Sequence, residues 1–191
     1  DESMEQLDSD TQIPATAVQV EPATPVIAPP DSSYVNDLTG ISLGLPEGWY
    51  GENISSLTVI SQKPSLMNTV TTECCVPIIL VISFPSDVTD LDESTVKSLA
   101  ETALENGFSV DITDTKLEYT GQKQIGSATA QRYNLSAQVR VNSQELVGAV
   151  LHVAGNPFTT LFVAEAPVDE RALTESALYT VVSSMLVPSL K

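Results

Sequence analysis

Adjacent cysteines stand at the head of the most apolar run of the sequence, TTECCVPIILVISF at residues 71–84. A relaxed disulfide spans about 4.4 to 6.8 Å between Cα atoms, whereas neighbouring Cα atoms lie about 3.8 Å apart, so a bond between Cys74 and Cys75 is strained. In a strand their side chains also point to opposite faces. We therefore favour free, partly buried thiols and leave open a vicinal disulfide, an intermolecular bridge, and a metal or redox role.

The segment GISLG at residues 40–44 matches the nucleophile elbow of hydrolases, with Ser42 at its centre. An elbow requires a strand, a sharp turn and a helix, whereas Ser42 lies inside an alternating strand that runs into Pro46. The single histidine, His152, lies between apolar neighbours and is expected to be a strand residue with a local hydrogen bond. A serine hydrolase using Ser42 and His152 is therefore a remote alternative, and we assign no catalytic, cofactor-binding or metal-binding residue.

Four acids, Asp87, Asp90, Asp92 and Glu93, precede a helical pattern in DVTDLDE. Clustered carboxylates bind calcium, but this spacing is not that of an EF-hand loop and the glycine of that loop is absent. Acids at a helix start also interact favourably with the helix dipole without any ligand. We favour helix capping, with weak divalent-cation binding as the alternative.

The chain is strongly acidic, because eight Lys and Arg oppose 25 Asp and Glu and give a net charge of −17. This charge repels phosphate backbones and anionic lipid headgroups, so nucleic acid is not an expected partner. No apolar run approaches the roughly 18 residues of a membrane-spanning helix. The sequence begins at Asp1 without methionine, which favours removal of an upstream segment.

Residues 1–33 differ in composition from the remainder. They hold seven acids, five prolines and no Lys or Arg, and such a segment buries too little apolar surface to fold. We predict a disordered acidic stalk over 1–33 and one folded domain over 34–191. A stalk of this kind favours an exported protein whose only membrane contact is a removed N-terminal lipid anchor or signal, and a disordered terminus on a cytosolic protein is the alternative.

The first half of the domain predicts strands followed by a helix. Ile41, Leu43 and Leu45 alternate before the turn PEGW, and VPIILVISF is apolar on both faces, as expected of a central strand, with Pro77 at the strand's start or beside an edge. The next apolar residues recur at helical spacing, with Asp92 or Ser94 as the cap and Gly107 as the end. The spaced residues are Val96, Leu99, Ala100, Ala103 and Leu104.

The second half predicts an antiparallel meander and a final helix. In RYNLSAQVRV, apolar residues from Tyr133 to Val141 alternate with Arg132, Asn134, Ser136, Gln138 and Arg140, which indicates one wet face. Short turns at residues 142–145 and 155–157 join the following strands. The final helix ends before Pro188, and its predicted buried residues are Leu173, Ala177, Val181, Val182 and Met185.

Two segments of the domain resemble the PsbP-like family: ISLGLPEGWY at its start, and GNPFTTLFVAEAPVDERALTESALYTVVSSM at its end. The resemblance implies an α+β fold, a mainly antiparallel sheet flanked by helices on both faces. Family members are non-catalytic subunits of the photosynthetic water-oxidising complex, Ran-binding factors, or bacterial envelope lipoproteins. The stalk and the acidic charge make the chain most similar to the lipoproteins.

We therefore expect a non-enzymatic extracytoplasmic accessory or binding module whose partner is an unknown protein or a small ligand. The alternative is a small-ligand or divalent-cation binding protein of the envelope. The expected working surface is a sheet edge or a groove beside the helices. No cofactor is expected.

Overall fold

A seven-stranded antiparallel sheet forms the centre of the computed structural model, which describes residues 30–54, 57–64, 76–85, 91–108, 112–140, 142–155 and 158–188. The sheet has the order β3-β4-β5-β9-β8-β7-β6, and β1 pairs with β2 in a separate two-stranded sheet. The elements are β1 Ser32–Val35, β2 Ser42–Leu45, β3 Tyr50–Ile54, β4 Leu57–Ser61, β5 Ile78–Pro85, α1 Glu93–Phe108, β6 Ile112–Ile125, β7 Ala128–Val139, β8 Glu145–Val153, β9 Phe158–Pro167 and α2 Arg171–Ser183.

Both faces of the central sheet are covered. On one face, here called the α1 face, Leu80 and Val163 pack in one cluster with Val96 and Leu104 of α1. On the opposite face, the α2 face, the core is formed by α2, strand β2 and these sheet residues: Ile60, Ile79, Leu151, Phe162 and Ala164. The predicted α+β fold with helices on both faces is confirmed. Neither described helix has the length and apolar composition needed to cross a membrane.

The predicted central strand and first helix are confirmed. Strand β5 begins at Ile78, directly after Pro77, and its residues through Val81 are buried. Helix α1 is capped by Asp92, whose Oδ1 accepts a hydrogen bond from the backbone N–H of Thr95 at 2.7 Å. The helix continues one residue beyond Gly107.

The prediction for α2 is wrong at Leu173, which is 47% exposed. The buried stripe runs through Thr174, Ala177, Leu178 and Val181. At 100° per residue, Leu173 lies about 140° around the helix axis from Leu178, which turns it toward solvent. The four-residue spacing between Leu173 and Ala177 had suggested that both side chains lie on the buried side of the helix. Met185 follows the end of the helix and still packs against the core.

The small β1-β2 sheet joins the ends of the described chain on the α2 side. Ser42 exchanges backbone hydrogen bonds with Leu186, at 2.8 and 2.9 Å. The Tyr34 ring lies against Gly51 of β3, where an added Cβ would lie 2.5 Å from Tyr34 Cγ. Because β1 begins at Ser32, regular structure starts two residues before the predicted boundary. The stalk prediction for residues 1–29 lies outside the described residues.

A carboxyl group is buried in the middle of the sheet. Glu165 of β9 is 0% exposed, and neither carboxyl oxygen has a hydrogen-bond partner among the described residues. Its neighbours across the sheet are Ile78 on β5 and Gly148 on β8, and neither offers a polar side chain. Burial raises the pKa of Glu165 to about 8. The side chain is therefore neutral at pH 7.

We predict that Glu165→Gln removes a pH dependence of stability. Between pH 4.5, the ordinary pKa, and about pH 8 the folded protein holds the Glu165 proton while the unfolded chain releases it. The free energy of unfolding therefore falls as pH rises through this window, by up to about 1.4 kcal/mol per pH unit from this group. Urea unfolding at pH 5, 6.5 and 8 measures the free energy of unfolding of both proteins. We expect Glu165→Gln to become more stable relative to the native chain as pH rises.

Glu105→Gln is the matched control, because Glu105 is an exposed residue of α1. Its stability difference from the native chain should stay nearly constant across the same pH range. A constant difference for Glu165→Gln as well would show that Glu165 titrates normally in the folded protein.

Candidate functional site

The Ser42 and His152 side chains lie on different sides of the central sheet. Ser42 belongs to the small sheet over the α2 face, whereas His152 pairs with Leu161 of the α1-face cluster. Ser42 also lies at the start of strand β2, which leads into a turn at Pro46 instead of a helix. The structure therefore does not bring together the pair that a hydrolase would need.

His152 is a buried strand residue with a local hydrogen bond, as predicted. Its Nδ1 lies 3.2 Å from Oε1 of Gln131 on the neighbouring strand. Tyr133 Oη donates to the same oxygen, also at 3.2 Å. Because a carboxamide oxygen only accepts, Nδ1 carries the proton in this arrangement.

The acidic cluster is described only in part. The Asp92 carboxylate accepts hydrogen bonds from Thr95 and Ser94, which lower its pKa, so its role as a helix cap is confirmed. Asp87 and Asp90 lie outside the described residues, as do Cys74 and Cys75. Within the described ranges, no three His, Cys, Asp or Glu side chains converge in a way that could hold a metal ion. Cation binding by the acidic loop stays a prediction.

A groove of about 480 Å³ lies on the α2 face beside the first residue of α2. Its volume falls within the range of small-molecule sites. Lys116, Glu118 and Arg171 form an exposed rim, and Asn134 and Ser136 are half-buried between them. The remaining lining residues are Leu117, Leu135 and Val147.

Alternation along the paired strands places these side chains together. Lys116 pairs with Ser136, and Glu118 pairs with Asn134, so the four side chains share one face of β6 and β7. Ser136 also pairs with Val147 of β8, which extends the same row. Strand β9 leads through a short 3₁₀ turn into α2, and this connection brings Arg171 to the rim.

An ion-pair network stands next to the groove and ties α2 to β7. Arg132 Nη2 lies 2.5 Å from Oε1 of Glu175, and their side chains are 14% and 18% exposed. Arg132 Nε donates to Tyr179 Oη at 3.2 Å, and Nη1 donates to Asn134 Oδ1 at 2.6 Å. Burial alone would lower the pKa of Arg132, but the hydrogen bonds and charge of Glu175, with Tyr179, raise it.

A second cation reaches the same tyrosine. The Lys123 Nζ atom lies 4.8 Å from the centre of the Tyr179 ring, and Tyr179 is 1% exposed. This is the geometry of a cation–π contact. Arg132 of β7 and Lys123 of β6 therefore both contact Tyr179 of α2. These contacts hold the helix against the two strands.

The cations of the chain concentrate on this side of the molecule. Of the eight Lys and Arg, five lie on β6, on or directly after β7, or at the start of α2. They are Lys116, Lys123, Arg132, Arg140 and Arg171. They lie in a chain whose net charge is −17.

The sequence pattern correctly placed Arg132, Asn134 and Ser136 on the face of β7 opposite Tyr133. It also predicted that this whole face is exposed to solvent. Arg132 lies instead under α2, bonded to Glu175 43 positions later. No local pattern signals such a distant pair. Glu165 did leave a signal, since a lone acid in the apolar run LFVAEA is unusual for a buried strand.

Three solved structures are similar to this chain in fold. A Bacteroides thetaiotaomicron protein matches with 8% identity and a TM-score of 0.49 over 83% of this chain, which spans about half (48%) of that protein's length. PsbP of Synechocystis matches with 16% identity and a TM-score of 0.48, over 82% of this chain and 92% of that protein. LpqN of Mycobacterium tuberculosis, a protein involved in cell envelope biogenesis, matches with 17% identity and a TM-score of 0.46, over 78% and 83%.

The chain is thus structurally similar to a PsbP protein, the family that its sequence resembles, and the similarity is one of fold. No family model and no curated protein sequence matches the chain.

We predict that Arg132 and Glu175 are strongly coupled in stability. Arg132→Leu leaves the Glu175 carboxylate half-buried without its counter-charge, at a cost of about 3 kcal/mol. Adding Glu175→Leu removes that charge, so the double variant should be more stable than Arg132→Leu alone. A double-mutant cycle by urea unfolding measures the coupling. Additive losses would show that the ion pair contributes little.

Proposed function

We propose that this protein is a non-enzymatic binding module that acts outside the cytoplasm, and that the groove on the α2 face is its working surface. The observation that carries the proposal is the groove itself, a concavity of about 480 Å³ with polar side chains on two strands and one helix. A concave surface with a few placed polar groups is the usual form of a ligand site.

One polar side chain of the groove, that of Asn134, is held in place within the protein. Asn134 is anchored by Arg132, which is itself held by Glu175 and Tyr179 of α2. Binding to a preformed surface loses less conformational freedom than binding to loose side chains. The lining residues also come from strands and a helix, which position side chains more accurately than loops do.

Binding rather than catalysis is proposed because the groove lining does not contain a Ser-His or Cys-His pair. Ser136 is the one hydroxyl residue of the groove lining, which contains no histidine or cysteine. A serine needs an adjacent base to become a nucleophile. His152 lies on the opposite face of the sheet and does not serve Ser136 any more than it serves Ser42.

The test of the binding role is native mass spectrometry of the protein purified from the cells that make it. We expect an additional mass on the native chain that disappears on denaturation. Ser136→Trp fills the groove and should abolish that mass, since the indole takes the place of the ligand. Thr102→Trp, at an exposed position on α1, is the matched control and should retain it. A chain without additional mass, or one whose mass survives in Ser136→Trp, contradicts the assignment of the groove.

The location outside the cytoplasm is proposed from composition, because the acidic, proline-rich residues 1–33 are typical of a stalk that holds a domain off a surface. We predict that protease added to intact cells, or to cells with an opened outer layer, degrades the protein while a cytoplasmic marker stays whole. Protection equal to that of the marker would place the protein in the cytoplasm.

A further inference from the structure

We infer that the groove on the α2 face binds a small monocarboxylate whose other end carries hydrogen-bond donors. The inference rests on the proposed function and adds the chemistry of the ligand. It depends on which polar groups of the lining are already engaged within the protein and which remain available to a ligand.

The two cations of the rim are available. The side chains of Lys116 and Arg171 form no hydrogen bond or ion pair within the described part of the chain. A guanidinium matches a planar carboxylate with two parallel N–H donors, and an ammonium group adds a third donor as a point charge. An anion between Lys116 and Arg171 would therefore satisfy both side chains, in a chain whose surface otherwise repels anions.

The orientation of Asn134 supplies neutral donors. Arginine only donates, so the amide atom 2.6 Å from Arg132 Nη1 must be the oxygen. The amide NH₂ of Asn134 is consequently directed away from Arg132 and is left for another acceptor. The Ser136 hydroxyl lies one step further along the same row of β7. Both groups suit the oxygens of a polar ligand.

Glu118 limits the charge of the ligand. Its carboxylate lines the same groove and has no hydrogen-bond or ion-pair partner among the described residues. A dianion such as phosphate would be repelled by Glu118. A monocarboxylate with hydroxyl or ammonium groups would instead donate hydrogen bonds to the Glu118 carboxylate. The lining thus has net charge +1 from Lys116, Arg171 and Glu118 (2 − 1 = 1), which a monoanion neutralises.

The same chemistry is found in sugar acids and in amino acids or short peptides. Both join a carboxylate to donors a few ångströms away, and both fit a volume of about 480 Å³. A sugar acid would present hydroxyl groups to Asn134 and Glu118, and a short peptide would present an ammonium group to Glu118. The probes below separate these two sources.

The test is a titration of the ¹⁵N-labelled full chain followed by NMR. Sodium glucuronate and glycylglycine are the two carboxylate probes, with glucose and inorganic phosphate as comparisons. We expect one carboxylate probe to give saturable shifts at the amides of residues 116–118, 134–136 and 147, with an affinity at least about tenfold higher than that of glucose or phosphate. Preference for glucuronate indicates a sugar acid, and preference for glycylglycine an amino acid or peptide.

Lys116→Gln and Arg171→Gln should each weaken that binding about tenfold, because each removes a charge-assisted hydrogen bond. Lys97→Gln is the matched control, since Lys97 lies on α1 and pairs with Glu101 at 3.9 Å. It should bind as the native chain does. Saturation by neither carboxylate, equal binding of phosphate, or unchanged binding by both groove variants overturns the inference.

Failure of the inference is distinguishable from failure of the proposed function. If native mass spectrometry finds a ligand that Ser136→Trp removes, but neither carboxylate probe saturates the groove, the groove binds a ligand of another class and only the inference is overturned. If no bound mass is found and neither probe saturates, both are overturned.

Discussion

The central sheet must be covered on both faces, and the helix that covers one face is shorter than the strands beneath it. Strand β7 has 12 residues and β6 has 14, so at about 3.3 Å per residue they extend roughly 40 to 46 Å. Helix α2 has 13 residues, which at 1.5 Å each span about 20 Å. Part of the α2 face of β6 and β7 therefore stays uncovered. The groove lies on this face beside Arg171, the first residue of α2.

Two polar groups are buried on opposite faces of the sheet and differ in how burial affects their charge. Arg132 lies beneath α2 and keeps its charge, because Glu175 and Tyr179 replace the water it lost. Glu165 lies on the α1 face without a polar partner among the described residues, so it holds its proton. The first arrangement fixes a helix in one position on the sheet. The second makes the stability of the sheet sensitive to pH.

The fold was largely predictable from the sequence, but the groove was not. Period-two alternation in β7 and the apolar run of β5 depend on neighbouring residues alone, and both predictions held. The groove depends on which strands pair and where α2 begins, since Lys116, Ser136 and Arg171 are distant in sequence. Leu173 shows the same limit within one helix, because its spacing to Ala177 suited a buried stripe whose centre lies elsewhere.

Strand β6 forms one edge of the sheet, and its regularity bears on whether that edge could bind a partner strand. Its pairing with β7 is interrupted between Thr113 and Lys116 and again between Tyr119 and Gly121. Interruptions of this kind twist an edge, and lysines on it resist the addition of another strand. The opposite edge, β3, has only five residues. Because β6 is irregular and charged and β3 is short, neither edge offers a long regular ladder for a partner. The proposed working surface, the groove on the α2 face, presents side chains rather than backbone groups.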